Sequence, residues 1–452
     1  MEHTSDCAQD AAARAAGAVG PFYFLVPFWG KRYREYFVNL CLPSLLAPRN
    51  LPLLNAQDGH VFLIATTAED WQAIKDLPIM RQVQRYTLPK LLEIPQPQTE
   101  TEPGSFNAIY YLNSCQRKLV EAAYSAKGYG CLLWPDFIIS DGMVASLWGH
   151  ARAGHRLVLA AALRQVEETV LTELTQRGFL SADVPASLSG RPICISPRTL
   201  VDLQIRHLHP EMTKFEEGAS GQSFYCPFRF WMMSNGSGLL LHSFLMHPML
   251  MDFSAIAVHD TACLDLAVFE NIYLGRNFYE CGGLYVVQDS DEFGILSLTL
   301  AAVGTQLLPK SETPPKRGYL ADFRTVYSIR ASMRIYADRM QDRVQRDSFF
   351  IPVRWHSSDV DKEWEQEERR IAALLYRALG DCYGNSKDAR PQFPRRWSLH
   401  PGRLACDLWY NTFLYTPRLK IAIDALMGDW HAWRLIGAAI YRRIPSPLTR
   451  NH

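Results

Sequence analysis

Apolar strands alternate with amphipathic helices over the first third of the chain, and this alternation restricts the accessible folds more than any other feature. The segment Phe22 to Phe28 is a continuous apolar run that predicts a buried strand. Residues 31–47 follow it with apolar side chains at three- and four-residue spacing, which predicts a helix. The pattern continues with predicted strands at 60–65, 82–88, 129–134 and 155–162 and predicted helices near 68–77, 105–126 and 141–152. We therefore expect an α/β fold with a mainly parallel sheet flanked by helices.

The rest of the chain divides into segments of different character. Residues 1–20 are rich in alanine and polar side chains and predict a flexible N-terminus ahead of an α/β domain at 21–308. Residues 309–318 (PKSETPPKRG) have the composition of a linker. Beyond them, the periodicity predicts a helical C-terminal region over 319–452.

Charge and cysteine usage restrict the partners and the compartment. The formal net charge is +1, so no basic excess points to nucleic acid as a partner. None of the ten cysteines forms a CxxC pair, and Cys41 and Cys131 lie inside apolar runs. This usage is typical of reduced, buried thiols and predicts a cytoplasmic protein.

Residues 418–452 raise the question of a membrane surface. They carry six Lys or Arg residues against two Asp, together with Trp430 and Trp433. A basic helix with tryptophan on its apolar side can lie on an anionic membrane, which here would be the inner face. The alternative, which the general role of amphipathic helices favours, is that the same face packs on the α/β domain. Residues 1–20 lack the basic segment and the continuous apolar segment of a signal peptide, so we expect none, and the sequence has no apolar window long enough to span a bilayer.

Several familiar motifs are absent from the sequence. No GxGxxG follows the first strand, and there is no Walker A sequence, so no organic cofactor is expected. There is also no GxSxG and no HExxH.

Acidic residues that follow predicted strands are the leading site candidates. Asp136 stands just after the strand 129–134, and Asp141 follows five residues later. In open parallel sheets, ligands bind outside the carboxyl ends of the strands, where a carboxylate can hold a divalent cation. The alternative is that Asp136 is a turn residue and Asp141 caps the next helix.

Two further clusters lie later in the chain. His242 and His247 occupy an apolar stretch, where a histidine is either a core residue or a ligand for metal or phosphate. Asp289, Asp291 and Glu292 follow another apolar strand; Asp291 and Glu292 are candidate general bases, and a solvated acidic turn is the alternative.

Three segments together resemble the nucleotide-diphospho-sugar transferases of the GT-A, Rossmann-like type over about residues 20–300: the first strand and helix, the second strand with its Thr-Thr end, and LLWPDFIISDG. The resemblance implies that Phe28, Trp29, Gly30 and Thr66 line a nucleotide pocket, with Asp136 and Asp141 near the donor. It also implies that Asp136 and His247 hold Mn²⁺ or Mg²⁺. Where the family has Asp-x-Asp, this chain has Trp134-Pro135-Asp136, so the first metal carboxylate is missing.

The leading hypothesis is therefore a glycosyltransferase that moves a sugar from a nucleotide-diphosphate sugar to an unidentified glycan, lipid or protein acceptor. A second hypothesis is a non-catalytic nucleotide-sugar or carbohydrate binder with a degenerate site. A third is a metal-dependent hydrolase, against which the histidines lack a standard ligand spacing.

Overall fold

The structure is a computed structural model, and it describes residues 19–97, 108–219, 222–223, 226–256, 259, 264–265, 268–269, 277–278, 283–303, 325–332 and 348–379. The N-terminal residues 1–18, the predicted linker 309–318 and the basic tail 418–452 lie outside the described residues.

The strands are β1 (Phe22–Pro27), β2 (Val61–Thr66), β3 (Leu88–Glu93), β4 (Tyr129–Leu132), β5 (Phe137–Ile139), β6 (Leu157–Ala160), β7 (Leu163–Val166), β8 (Phe228–Met232), β9 (Gly238–Ser243), β10 (His247–Asp252), β11 (Leu264–Asp265), β12 (Val268–Phe269), β13 (Leu284–Val286), β14 (Ile295–Thr299) and β15 (Val353–His356).

The helices are α1 (Gly30–Tyr36), α2 (Leu42–Leu45), α3 (Ala68–Ile74), α4 (Pro78–Val83), α5 (Ala108–Ser125), α6 (Met143–Arg152), α7 (Glu167–Gln176), α8 (Ala186–Ser189), α9 (Pro197–Arg206), α10 (Pro210–Thr213) and α11 (Lys362–Leu379). A π-helical turn, Phe37–Cys41, joins α1 to α2. Short 3₁₀ helices lie at Leu51–Leu53, Ala56–Asp58 and Phe253–Ala255. Residues 325–332 are also helical.

A seven-stranded sheet organises the described part of the chain. Its order is β13-β6-β10-β4-β1-β2-β3. The pairs β13–β6, β4–β1, β1–β2 and β2–β3 are parallel, whereas β10 is antiparallel to both of its neighbours. Six strands therefore run in one direction, which confirms a mixed α/β fold with a mostly parallel sheet flanked by helices.

Each face of this sheet has its own apolar core, as the alternation of side chains along a strand requires. Along β1, Phe24 and Val26 join the core under α2, α3, α4 and α6, whereas Leu25 joins the core under α5 and the strands β8, β9 and β15. Both cores exclude water from large side chains, and burial of each such side chain stabilises the fold by roughly 1.5–3 kcal/mol. Cys41, Cys115 and Cys131 are buried thiols outside any disulfide.

Two smaller three-stranded sheets flank the large one. One has the order β5-β14-β7, and its strands β5 and β7 directly follow β4 and β6 in the chain. The other has the order β15-β9-β8 and packs on the core that it shares with α5. The hairpin β8–β9 turns at Asn235-Gly236-Ser237.

Two details of the predicted elements are wrong. The strand predicted at 82–88 is misplaced, because residues 82 and 83 end helix α4, which starts at Pro78 and buries Ile79, Met80 and Val83; the strand begins only at Leu88. The C-terminal region is also not helical throughout, since β15 pairs with β9 and completes a sheet of the preceding region. Within the described residues, no helix combines the length and apolarity needed to cross a membrane.

Candidate functional site

The carboxyl ends of the six parallel strands form one edge of the large sheet, and most of the site candidates lie there. Trp29 follows β1, Thr66 ends β2, Asp136 follows β4 and Asp289 follows β13. The antiparallel strand β10 begins at this same edge with His247, which pairs with Ala160 at the end of β6. The sheet thus gathers at one edge residues that are distant in sequence, at the position where open α/β sheets bind ligands.

Three of the candidates, Phe28, Trp29 and Gly30, lie in the turn after β1, and each has a different environment. The ring of Phe28 is 1% exposed and packs on Phe37 with centroids 4.9 Å apart, so its side chain serves the core. Trp29 is partly exposed and meets Tyr111 edge to face at 4.8 Å. Gly30 has a φ of +78°, a conformation that glycine adopts without steric cost.

A buried carboxylate, Asp70, fixes this turn. Its Oδ2 accepts hydrogen bonds from the backbone N–H of Gly30 at 2.7 Å and from the Thr67 hydroxyl at 2.9 Å, and its Oδ1 pairs with Arg34 at 2.8 Å. The Thr67 hydroxyl in turn accepts the N–H of Asp70 and caps α3. The neighbouring Thr66 is fully buried, and its hydroxyl has no hydrogen-bond partner in the described structure.

Asp136 and Asp141 lie on the segment that follows β4, but each is held by a different partner. Asp136 accepts a hydrogen bond from the Ser297 hydroxyl at 2.9 Å, and burial raises the pKa of its carboxyl group. Asp141 accepts the backbone N–H of Arg49 at 2.8 Å. The N-cap of α6 is Gly142, so the prediction that Asp141 caps this helix is wrong.

His247 is a neutral imidazole at the start of β10. Its Nε2 donates to the carbonyl oxygen of Leu132 at 2.9 Å, and burial lowers its pKa to about 4. Because a carbonyl oxygen can only accept, the Nδ1 atom keeps its lone pair. The ring centroids of Trp134 and Phe137 lie 6.2 and 5.3 Å from the centroid of the His247 ring. His242 lies on β9 of another sheet and donates from Nδ1 to Phe349, so the two histidines do not share a site.

The described residues contain one group of three metal-ligating side chains, formed by Asp289, Asp291 and His356, whose ligand atoms lie within 4.8 Å of one another. We call this group the acidic triad. Asp136 and His247 belong to no such group within the described residues, so the cation site expected at that pair is not supported.

The hydrogen bonds of His356 direct its Nε2 atom into the acidic triad. Its Nδ1 lies 2.7 Å from the carbonyl oxygen of Ser358 and therefore carries a proton, while its Nε2 lies 2.8 Å from Oδ1 of Asp289 and 3.9 Å from Oδ2 of Asp291. Carboxylate oxygens only accept, so a proton or a cation must lie between Nε2 and these oxygens. The hydrogen bond to Asp289 accordingly raises the pKa of His356.

The charge balance of the acidic triad is set by its neighbours. Burial alone would raise the pKa of Asp289, but the hydrogen bonds from His356 and from the backbone N–H of Asp291 lower it. Arg198 on α9 forms two hydrogen bonds of 2.9 Å with the two carboxylate oxygens of Asp291, and a third of 2.6 Å with Asp359. Two carboxylate oxygens and one imidazole nitrogen form a donor set that suits Mn²⁺ better than Mg²⁺, which prefers oxygen alone.

Glu292 belongs to a different cluster, although it is adjacent to Asp291 in sequence. Its carboxylate contacts His150 Nε2 at 2.9 Å and the Tyr285 hydroxyl at 2.7 Å. Tyr285 lies one residue before the end of β13 and His150 lies in the last turn of α6, so this cluster joins the helix to the end of that strand.

Sequence reasoning did not identify His356, Arg198, His150, His155 or Tyr285. The partners of His356 are 65 and 67 residues away, so no spacing rule could have joined them. His150 and His155, in WGHARAGH, carried a local signal, since both flank the predicted end of one helix. No protein-family model and no curated protein matches this chain.

Proposed function

We propose that this chain is a glycosyltransferase that binds a nucleotide-diphosphate sugar along the carboxyl edge of its seven-stranded sheet. The observation that carries the proposal is the position of the acidic triad at the same edge as the β1 turn and Thr66. The triad follows β13 and the turn follows β1, which lies four strands away. At the usual strand spacing this separation is about 19 Å. Such a span suits an elongated donor with a base at one end and a sugar diphosphate at the other.

In this proposal the β1 turn contacts the nucleoside. Trp29 offers a partly exposed aromatic face, and the hydrogen bond from Gly30 to Asp70 holds the turn in place. Aromatic rings stack on bases and sugars. Thr66 adds a hydroxyl without a partner at the neighbouring strand end. Phe28 supports the turn from the core.

The acidic triad is assigned to a divalent cation, for which Mn²⁺ is the better match of the two expected ions. Bound there, a cation would neutralise charge on a leaving diphosphate. Asp289, Asp291 and His356 would hold it, and the hydrogen bond to Ser358 orients the imidazole. Asp136, whose pKa is raised by burial, suits a hydrogen bond to the donor better than cation binding. Glu292 is then the remaining sequence candidate for the general base, since a carboxylate that holds a cation cannot also remove a proton.

A thermal-shift screen against UDP, GDP, CMP and dTDP sugars, with and without Mn²⁺, tests donor binding. A ligand at about 100 times its Kd stabilises the fold by about 2.7 kcal/mol. We expect a shift with one nucleotide class that Mn²⁺ increases, and Asp289→Asn should remove the increase. Asp183→Asn is the matched control, because Asp183 is exposed and does not belong to the acidic triad. A flat response across the panel at millimolar ligand would overturn the proposal.

The two alternative functions, a non-catalytic binder and a metal-dependent hydrolase, predict different amounts of nucleotide release from the bound donor. The close contact between Arg198 and Asp291 favours a non-catalytic binder, since it neutralises part of the triad. That function requires donor binding without release of nucleotide. The Asp, Asp and His donor set itself is the observation that favours a metal-dependent hydrolase. That function requires nucleotide release without any acceptor, whereas a glycosyltransferase requires release that rises with a suitable acceptor.

A further inference from the structure

Glu292, His150, His155 and Tyr285 form a hydrogen-bonded cluster beside α6, in which only Glu292 has a role in the proposed function. Tyr285 and His150 contact the two oxygens of the Glu292 carboxylate, and Nδ1 of His150 lies 3.1 Å from Nδ1 of His155. The rings of His150 and Tyr285 are in contact, with centroids 4.0 Å apart and planes tilted by 34°. The side chains of His150 and Glu292 are 14% and 25% exposed, so the cluster borders solvent.

The Glu292 carboxylate determines the direction of the hydrogen bonds that run from Glu292 through His150 to His155. An ionised Glu292 can only accept, so Nε2 of His150 must carry the proton. When this is the only ring proton of His150, its Nδ1 has a lone pair, and the hydrogen bond between the two Nδ1 atoms requires His155 to donate. With its proton on Nδ1, a neutral His155 has its lone pair on Nε2.

The Nε2 atom of His155, at the end of this series of hydrogen bonds, is available to a ligand. His155 is partly exposed, and no hydrogen bond among the described residues uses its Nε2 atom. Burial lowers the pKa of His155, which favours its neutral imidazole. Within the cluster, the charge of Glu292 acts on both His155 and Tyr285. Asp289 lies outside the cluster and also acts on Tyr285.

We infer that Glu292 fixes the tautomers of His150 and His155 so that Nε2 of His155 is a proton-accepting site for a hydroxyl-bearing ligand. The hydroxyl gives its proton to Nε2, and the electron pair of the O–H bond remains on oxygen. The resulting imidazolium still donates from Nδ1 to His150, so the chain of hydrogen bonds survives, and its charge is balanced by Glu292. Glu292 and His150 are positioning residues in this arrangement, which does not depend on sugar transfer.

Nitrogen-15 NMR of the full chain at pH 8.5 tests the tautomers, because imidazole nitrogens with and without a proton have distinct shifts. The variants His150→Gln and His155→Gln assign the signals. We expect Nδ1 of His155 and Nε2 of His150 to carry protons. A proton on Nε2 of His155, or an imidazolium at His150, would overturn the inference.

The variant Glu292→Gln tests the cause. A glutamine amide can donate as well as accept, so the chain is free to reverse, and His155 should lose its preference for the Nδ1–H tautomer. Tyr285→Phe should keep that preference, since it removes only the second hydrogen bond to Glu292. Glu173→Gln is the matched control, because Glu173 contacts His207 in a separate histidine–carboxylate pair. An unchanged His155 tautomer in folded Glu292→Gln, with folding checked by circular dichroism, would refute the role of Glu292.

Discussion

The side-chain oxygen of Asn50 accepts a hydrogen bond of 3.1 Å from the backbone N–H of Gly142, which lies 92 residues later in the chain. The same oxygen accepts the N–H of Val144, so Asn50 caps α6 in place of Asp141. Its side-chain nitrogen donates to the carbonyl oxygens of Ser44 and Ser140. One fully buried amide thereby joins the end of α2 to the segment that carries Asp136.

Replacement of this amide should cost much of the stability of the fold. Asn50→Ala leaves two N–H groups and two carbonyl groups without their partner, and we expect the free energy of unfolding to fall by about 3 kcal/mol. Urea denaturation measures the change. Asn55→Ala is the control, since exposed Asn55 caps a short 3₁₀ helix through one hydrogen bond to Gln57. Equal losses of unfolding free energy in the two variants would show that the buried Asn50 amide stabilises the fold no more than the exposed Asn55 amide does.

The contrast between two helix caps explains what the sequence could predict. Thr67 directly precedes α3, so its role as a cap follows from adjacent residues of the sequence. The cap of α6 comes from Asn50 and depends on the packed fold, so Asp141 was the natural but wrong choice. Strands such as β1 and β2 were predictable for the same local reason, since burial on both faces produces a continuous apolar run.

The candidate site shows the same limit at longer range. Asp291 was predicted as a general base, in a cluster with Asp289, because these residues follow an apolar strand. His356 completes their group only because β15 pairs with β9 and a bridge joins Asp289 to Arg354. The split between Asp291 and Glu292 was also beyond the sequence, because the backbone directs neighbouring side chains to different clusters.

Stability should fall between pH 6.5 and 4 because of His242. Burial lowers its pKa from 6.5 to about 4, although its hydrogen bond to Phe349 opposes the change. In this window the unfolded chain binds the proton more readily than the folded chain, so His242 favours unfolding as the pH falls, and its full contribution is present above pH 6.5. The gap corresponds to roughly 3 kcal/mol.

Urea unfolding at several pH values, for the natural chain and for His242→Gln, measures this contribution. We expect a shallower pH dependence in the variant, because glutamine does not titrate, whereas the other titrating groups are common to both proteins. His356 acts in the opposite direction, since its raised pKa gives stability that is lost as the pH rises through that pKa. Parallel curves for the two proteins would contradict the assignment to His242.

Two glycines should respond to alanine with opposite signs. A Cβ atom at Gly130 on β4 would lie 2.3 Å from the ring of Phe253, so Gly130→Ala forces this ring to move and should destabilise the fold by about 2 kcal/mol. Gly149 is exposed on α6, and a Cβ atom there meets nothing within 4 Å. Gly149→Ala should therefore stabilise the fold by about 0.5 kcal/mol. Thermal denaturation of both variants compares the signs, and a stabilised Gly130→Ala would show that the β4 contact is not tight.

Metal binding at the acidic triad should respond in opposite directions to two substitutions. Asp289→Asn removes a negative ligand and should weaken Mn²⁺ binding roughly tenfold or more. Arg198→Gln removes the cation that engages both oxygens of Asp291, so it should tighten binding. Arg206→Gln is the matched control, since Arg206 lies on the same helix and pairs with Asp202 and Glu173 instead.

Titration of Mn²⁺ followed by electron paramagnetic resonance measures the affinities directly. Binding should also strengthen as the pH rises through the raised pKa of His356, because a proton and the cation compete for the same Nε2 lone pair. Comparable affinities of the natural chain and Asp289→Asn would exclude the triad as the binding site. Unchanged binding in Arg198→Gln, with Asp289→Asn still impaired, would mean that Asp291 contributes little and that the cation rests on Asp289 and His356.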